Sequence, residues 1–216
     1  TTMKGKAKFQ IGGTDGVTDE AVMASYFWEV DLNTSFTGED NLNIEIETGN
    51  TPDTDSFLAV TDFGKDSGDV LKVSDINYTF PVGDWKVTVG DSLDASKQFT
   101  GACEYGNTVD ALSDCGTGNS IAVGGDQTIS AGYDLDNGFS FGLGISADDG
   151  EDTKGMFTAE GEDIYAINVA YSGDNYALAL AYADVDVATY WGVNASYSAD
   201  GFPTISGGYE FGSPDS

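Results

Sequence analysis

The rule by which charges are placed along this chain constrains its fold more than any other feature. In FWEVDLNTSF (27–36), Trp28, Val30, Leu32, Thr34 and Phe36 alternate with Glu29, Asp31, Asn33 and Ser35. The next segment repeats the rule, with Leu42, Ile44 and Ile46 set against Asn43, Glu45 and Glu47. It recurs in FSFGLGIS, IYAINVAYS, YALALAYA and YWGVNASYS. Alternation at period two means a strand with one dry and one wet face. Repeated over about eleven strands, it produces one large apolar surface in a strongly acidic chain. Lipid is the solvent that suits such a surface.

The pattern places strands at about 3–11, 21–36, 42–49, 71–81, 85–91, 121–135, 139–146, 163–172, 176–183, 189–198 and 202–211. Short turns fall at 38–40, 83–84, 137–138, 173–175 and 200–201, rich in the Gly, Asp and Asn of tight hairpins. The intervening connections, at 12–20, 50–70, 92–120, 147–162 and 184–188, read as longer. Long loops on one side and short turns on the other are the asymmetry of a transmembrane barrel. The fold expected is therefore all-β, an antiparallel up-and-down transmembrane β-barrel, with residues 1–216 a single barrel domain that reads as part of a longer chain.

The aromatic residues agree. Phe36, Phe80, Trp85, Tyr133, Phe139, Tyr171, Tyr176, Tyr197 and Phe202 lie near the short turns. Phe9, Tyr26, Trp28, Tyr165, Tyr182, Trp191 and Tyr209 lie towards the long loops. Two girdles flanking an aliphatic band match the two interfaces of a bilayer. On this reading Leu180 meets lipid and Ala181 meets the lumen. Two positions break the pattern. The phase changes near Ser74-Asp75, which points to a bulge, and Gln127 falls on the dry face, which places it near the outer interface.

Composition narrows the function classes. With 37 acids, 8 bases and no His, the formal charge is −29, which repels nucleic acid and excludes Ser-His-Asp catalysis. No run approaches the ~18 apolar residues of a membrane helix, so a membrane crossing requires a closed barrel. Cys103 and Cys115 lie in a Gly/Asp/Asn-rich stretch and read as a local disulfide, which implies an oxidising compartment; two unpaired thiols in a reducing cytosol are the alternative. No P-loop, dinucleotide fingerprint or nucleophile–base pair is present, and no cofactor is expected.

The stretches LNTSFTGEDNLNIEIETGN, DINYTFPVGDWKVTVGD and TYWGVNASYSADGFPTISGGYEFG, with the opening TTMKGKAKFQIGG, resemble the barrel of cyanobacterial outer-membrane porins, the OprB-like, iron-uptake group. The resemblance implies a passive outer-membrane channel, a homotrimer in contact with lipid and lipopolysaccharide, and permeation of small solutes and ions, iron among them. It also implies a barrel of about sixteen strands, of which eleven are visible, and a surface-layer-homology domain that this sequence does not contain. A sugar-selective porin is the nearest rival. A soluble secreted β-sandwich or adhesin, or a surface carbohydrate-active enzyme, is the reading from another class.

Within the barrel reading, the expected pore-lining residues are Lys4, Lys6, Lys8, Glu29, Asp31, Glu45, Glu47, Lys72 and Lys86. Acids and bases on one pore wall create a transverse field that orients solutes and sets ion preference. The competing reading is cross-strand ion pairing, each pair worth under ~1 kcal/mol. The 92–120 stretch, with Asp94, Glu104, Asp110 and Asp114 and the Cys103–Cys115 bridge, is the candidate constriction loop. The acids around 148–152 and 184–186 read as solvated loop residues rather than a calcium site, because the spaced ligands and closing Glu of an EF-hand are missing. No metal ligand set is expected.

Overall fold

A computed structural model describes residues 1–13, 22–50, 67–103, 114–148, 150–153, 155–158 and 161–214. The regular elements are β1 (Thr2–Gly13), β2 (Val22–Thr34), β3 (Asn41–Gly49), β4 (Lys72–Val82), β5 (Trp85–Asp91), β6 (Gln127–Asp134), β7 (Phe139–Asp148), β8 (Glu162–Ser172), β9 (Tyr176–Val185), β10 (Ala188–Tyr197) and β11 (Ile205–Pro214). They form one sheet in sequence order, each strand antiparallel to the next. Every expected strand is present, so the all-β up-and-down architecture is as read from the alternation. Among the described residues β1 and β11 each have one partner, and the strip does not close on itself. No helix among them is long and apolar enough to cross a membrane, a statement that does not bear on strands.

Alternation divides the sheet into two unlike faces. The outer face exposes Leu143, Ile167, Val169, Leu178, Leu180 and Val193 along the middle of β7–β10. Towards the short turns, aromatic rings run across neighbouring strands: Phe36–Tyr78–Phe80, Trp85–Tyr133 and Phe139–Tyr171–Tyr176, with centroids 4.9–6.3 Å apart. Near the opposite ends stand Tyr182–Trp191 and Tyr209–Phe211. Such contacts at both strand ends fit two interfacial belts.

The turns follow from local chemistry. Gly83 (φ 61°) takes the left-handed conformation that a two-residue hairpin between β4 and β5 requires. The β2–β3 turn is organised by one carboxylate. Asp40 Oδ1 accepts from the Phe36 and Thr37 backbone N–H groups (2.9 and 2.8 Å) and from the Ser35 and Thr37 hydroxyls (2.7 and 2.8 Å). Its Oδ2 accepts from the Tyr78 hydroxyl at 2.5 Å. The Tyr78 bond first, then the Thr37 N–H, hold the Asp40 carboxyl far below the usual carboxylate range, against the opposing effect of burial.

Two connections differ from expectation. Residues 184–188 do not form a longer loop. β9 passes to β10 through the two-residue turn Asp186-Val187, which Asp186 permits by adopting φ 61°. Residues 121–126, expected to begin the sixth strand, instead extend the preceding loop, and β6 starts at Gln127. There Gln127 donates to Asp91 (2.5 Å) and accepts from the Gly150 N–H (2.5 Å), so the polar intruder on the dry face sits at the long-loop end. The phase change in β4 is a bulge: Glu45 pairs with Asp75 and Ile46 with Val73, leaving Ser74 as the extra residue.

Candidate functional site

The inner face differs along its width. Across β1–β4 it carries long charged and carboxamide side chains in register. One row runs Lys6–Glu29–Glu47–Lys72 and the next Lys4–Asp31–Glu45–Asp75. Below these come Asn33–Asn43–Asn77, then Asn41–Thr79–Thr88–Ser130, then Pro81–Lys86–Gly132. Period two and a fixed register force this arrangement once the outer face is apolar. The result is a gradient along the wall from carboxylates through carboxamides and hydroxyls to a lysine.

Hydrogen bonds tie the rows together. Asn43 Nδ2 donates to Asp31 (2.9 Å), Ser74 Oγ to Glu45 (2.8 Å), Asn77 Nδ2 to Asp75 (2.8 Å) and Asn41 Nδ2 to Asn33 (2.8 Å). Lys6 forms an ion pair with Glu29 at 2.9 Å and lies 5.5 Å from the Phe27 ring centroid. Glu29 faces Glu47, and Glu45 faces both Asp31 and Asp75. Like charges directly opposite each other are destabilising, so these rows favour an incoming positive charge.

Across β6–β10 the inner face is built from small residues: Thr128 and Ser130; Ser140, Gly142, Gly144 and Ser146; Ala166, Asn168 and Ala170; Ala177, Ala179, Ala181 and Ala183; Gly192 and Asn194. Onto this seat fold residues 92–103 and 114–126. Ser130 Oγ donates to the Ala95 carbonyl (2.9 Å), and the Gln98 N–H donates to Ser130 Oγ (3.1 Å). Gln98 Nε2 donates to Thr88 (2.8 Å). The Thr100 and Ala102 N–H groups donate to Asn168 and Asn194 (3.0 and 2.9 Å). On β11, Glu210 accepts from Asn119 N and Nδ2 (3.1 and 2.8 Å) and from Ser120 Oγ (2.5 Å). The buried hydrophobic clusters lie between loop and wall: Ala102 and Ile121 on Ala170, Ala179 and Ala181, and Ala95 and Val123 on Ala166 and Ala183, with Phe99 packed against both. Ala181 is thus covered by the loop, not open to a lumen.

The Cys103–Cys115 disulfide is present, with Cα atoms 6.2 Å apart. Of the expected constriction residues, Asp94 borders a cleft of about 210 Å³ together with Glu45, Asp75 and Lys97. Asp114 borders one of about 250 Å³ with Cys103, Thr117 and Asn194. Glu104 and Asp110 lie outside the described residues. Of the expected pore-lining set, Lys4, Lys6, Lys8, Glu29, Asp31, Glu45, Glu47 and Lys72 share the inner face of β1–β4, and Lys86 shares that of β5. Asp31, Glu45 and Lys86 border an inner-face cleft of about 370 Å³. Asp75, Lys97, Gln98 and the asparagines of that cleft were not anticipated. The bulge at Ser74 returns Asp75 to the inner face, and Lys97 arrives from a loop that has no periodicity. No group of three or more Asp, Glu or Cys among the described residues is arranged to hold a metal ion.

The fold, a wall of sequential antiparallel strands with a loop packed onto its inner face, is a porin fold. A Rhodopseudomonas blastica porin triple mutant superposes with a TM-score of 0.60 at 14% identity, over 97% of this chain and 73% of that one. Another triple mutant of the same porin gives 0.59 with the same coverage. A structure described as showing asymmetric conductivity of engineered proteins gives 0.58 at 15% identity. No protein-family model matches the sequence, and no curated protein matches it.

Proposed function

We propose that this chain forms the wall of a passive outer-membrane channel for small hydrophilic solutes and inorganic ions, without a catalysed reaction or cofactor. The observation that carries the reading is the two-faced sheet. Its outer face presents aliphatic and aromatic side chains to the surroundings, and its inner face presents charged rows beside a seated loop. A soluble sandwich or adhesin would need a second layer on the apolar face, and a single sheet is found among the described residues.

The channel prefers cations, because five acids stand against three lysines in the two charged rows of β1–β4. Iron enters as one permeant ion through the resemblance to the cyanobacterial iron-uptake porins, and sugars are the rival cargo. The loop 92–126 narrows the lumen, with Asp94, Glu104, Asp110 and Asp114 contributing charge. Closure is completed by further strands between β11 and β1, which is in line with the 73% coverage of the neighbouring porins. Packing as a homotrimer among lipid and lipopolysaccharide follows from the same resemblance.

Reconstitution into planar lipid bilayers tests the proposal. Stepwise conductance with a reversal potential displaced towards cations under a KCl gradient is expected. A chain that stays soluble without detergent and gives no steps would refute it.

A further inference from the structure

The inner-face cleft of about 370 Å³ is bordered by Asp31, Glu45 and Asp75 and, from other directions, by Lys86, Lys97 and Gln98. We propose that it is a transit site for small zwitterions, amino-acid-like solutes bearing one ammonium and one carboxylate, with the Lys97–Asp75 ion pair as the docking point. The proposal rests on the channel reading and names a substrate class for it.

The pair is loose. Lys97 Nζ stands 3.7 Å from Asp75 Oδ2, and the Lys97 side chain is 40% exposed. A zwitterion can insert between the two. Its ammonium takes the place of Lys97 at Asp75, and its carboxylate receives the Lys97 ammonium. Each charge then keeps an opposite partner, so entry leaves no uncompensated charge. The surroundings hold both ends in place. Asn77 bonds the other oxygen of Asp75 at 2.8 Å. The Lys97 N–H donates to the Asp94 carbonyl at 3.1 Å, and the next residue, Gln98, is bonded to Ser130 and Thr88.

Other ligand classes fit less well. A neutral polyol does not relieve the opposition of Glu45 to Asp31 and Asp75. A divalent ion needs converging free oxygens, whereas Asn43, Ser74 and Asn77 each engage one oxygen of the three acids. A simple anion meets the acid row. Because binding is weak and reversible, it speeds transit instead of trapping the solute.

The test is liposome swelling with the full chain, using serine and, as an uncharged probe of similar size, glycerol. In wild type, serine flux should exceed glycerol flux at low concentration and saturate. Lys97→Gln and Asp75→Asn should each lower the serine-to-glycerol ratio about two- to fivefold, the range an exposed ion pair supports. Glycerol flux, which reports an assembled channel, should persist in both. Lys97→Arg should retain the ratio, and Asp174→Asn, in the β8–β9 turn, should leave it unchanged. A non-saturating serine flux that tracks glycerol, or a ratio that survives both neutralisations, overturns the proposal. Absence of glycerol flux in wild type would instead overturn the channel reading on which it rests.

Discussion

A single methyl group added at Gly144 should lift the inward loop from its seat. A Cβ there would collide with the Ala95 carbonyl oxygen and stand 2.8 Å from its carbon. Gly144 cannot retreat, because it pairs with Ser130 on one side and Ala166 on the other. Ala95 is held more lightly, by its N–H to Gly124 (3.3 Å) and by the Ser130 hydroxyl (2.9 Å). Overpacking of this kind costs ~1–3 kcal/mol. Releasing the segment around Ala95 alone, with Thr100, Ala102 and Asn119 still anchored, loses two or three hydrogen bonds at a net ~0.5–1.5 kcal/mol each, a comparable sum. The loop therefore yields before the sheet does. Single-channel recording should show a larger and noisier conductance for Gly144→Ala, and limited proteolysis in detergent should cut the loop while the sheet stays folded. Gly207→Ala is the control, since a Cβ there meets nothing within 4 Å. Equal behaviour of the two variants, or a Gly144→Ala channel indistinguishable from wild type, would show that close approach does not seat the loop.

Leu180→Arg, at an outer-face position 46% exposed, should cost ~2–4 kcal/mol if that side chain meets the bilayer midplane. Refolding into lipid vesicles in urea measures it, and a tolerated arginine would sink the face assignment. Ala181→Arg should also disrupt packing rather than merely retune current, because Ala181 is 2% exposed beneath the loop. Replacing Lys4, Lys6, Lys8 and Lys86 with Gln should shift the KCl-gradient reversal potential towards cations, more at low salt than at high salt, since screening shortens the reach of the field. An unchanged potential at low salt would mean that wall pairs such as Lys6–Glu29 neutralise these lysines. The Asp40 carboxyl is depressed in the folded state. Its stabilisation is therefore complete above the ordinary carboxyl value of ~3.9, and it is lost as pH falls through the lower folded value. Thermal scans across acid pH should show a flatter acid limb for Asp40→Asn than for wild type, and identical limbs would contradict this assignment.

Strand existence and facing were legible because period-two alternation is a local signal. Trp28, Val30 and Leu32 against Glu29 and Asp31 fix the face of β2 without any knowledge of its neighbours. Loop extent was less legible. Ile121 and Val123 carry apolar character, and in the sequence that looks like strand. In the structure they serve a non-local purpose, packing onto Ala170, Ala179 and Ala166. The signal for the seat was present but unread. FSFGLGIS and YALALAYA have inner faces of Ser and Gly, or of Ala alone, where a water-filled wall would tolerate larger polar groups. The Asp186 turn was misjudged because a lone Asp in a left-handed conformation leaves little trace in composition. The inner-face cleft was half visible: Asp31 and Glu45 follow the strand pattern, but Asp75 reaches it through the bulge, and Lys97 and Gln98 only through tertiary placement of the loop.

The unlike halves of the inner face set different rules for sequence change. In the arc β1–β4, rewriting side-chain charge leaves backbone pairing intact and, apart from the Asp75–Lys97 ion pair, the loop's footing too, so this stretch is free to drift in charge. In the arc β6–β10, adding even one carbon at positions such as Gly142 or Gly192 strikes Phe99 or Ser120. Natural variants should accordingly be permissive in the first arc and nearly frozen in side-chain volume in the second. The electrical character of the inner face can therefore be exchanged while the mechanical support of the loop is left untouched.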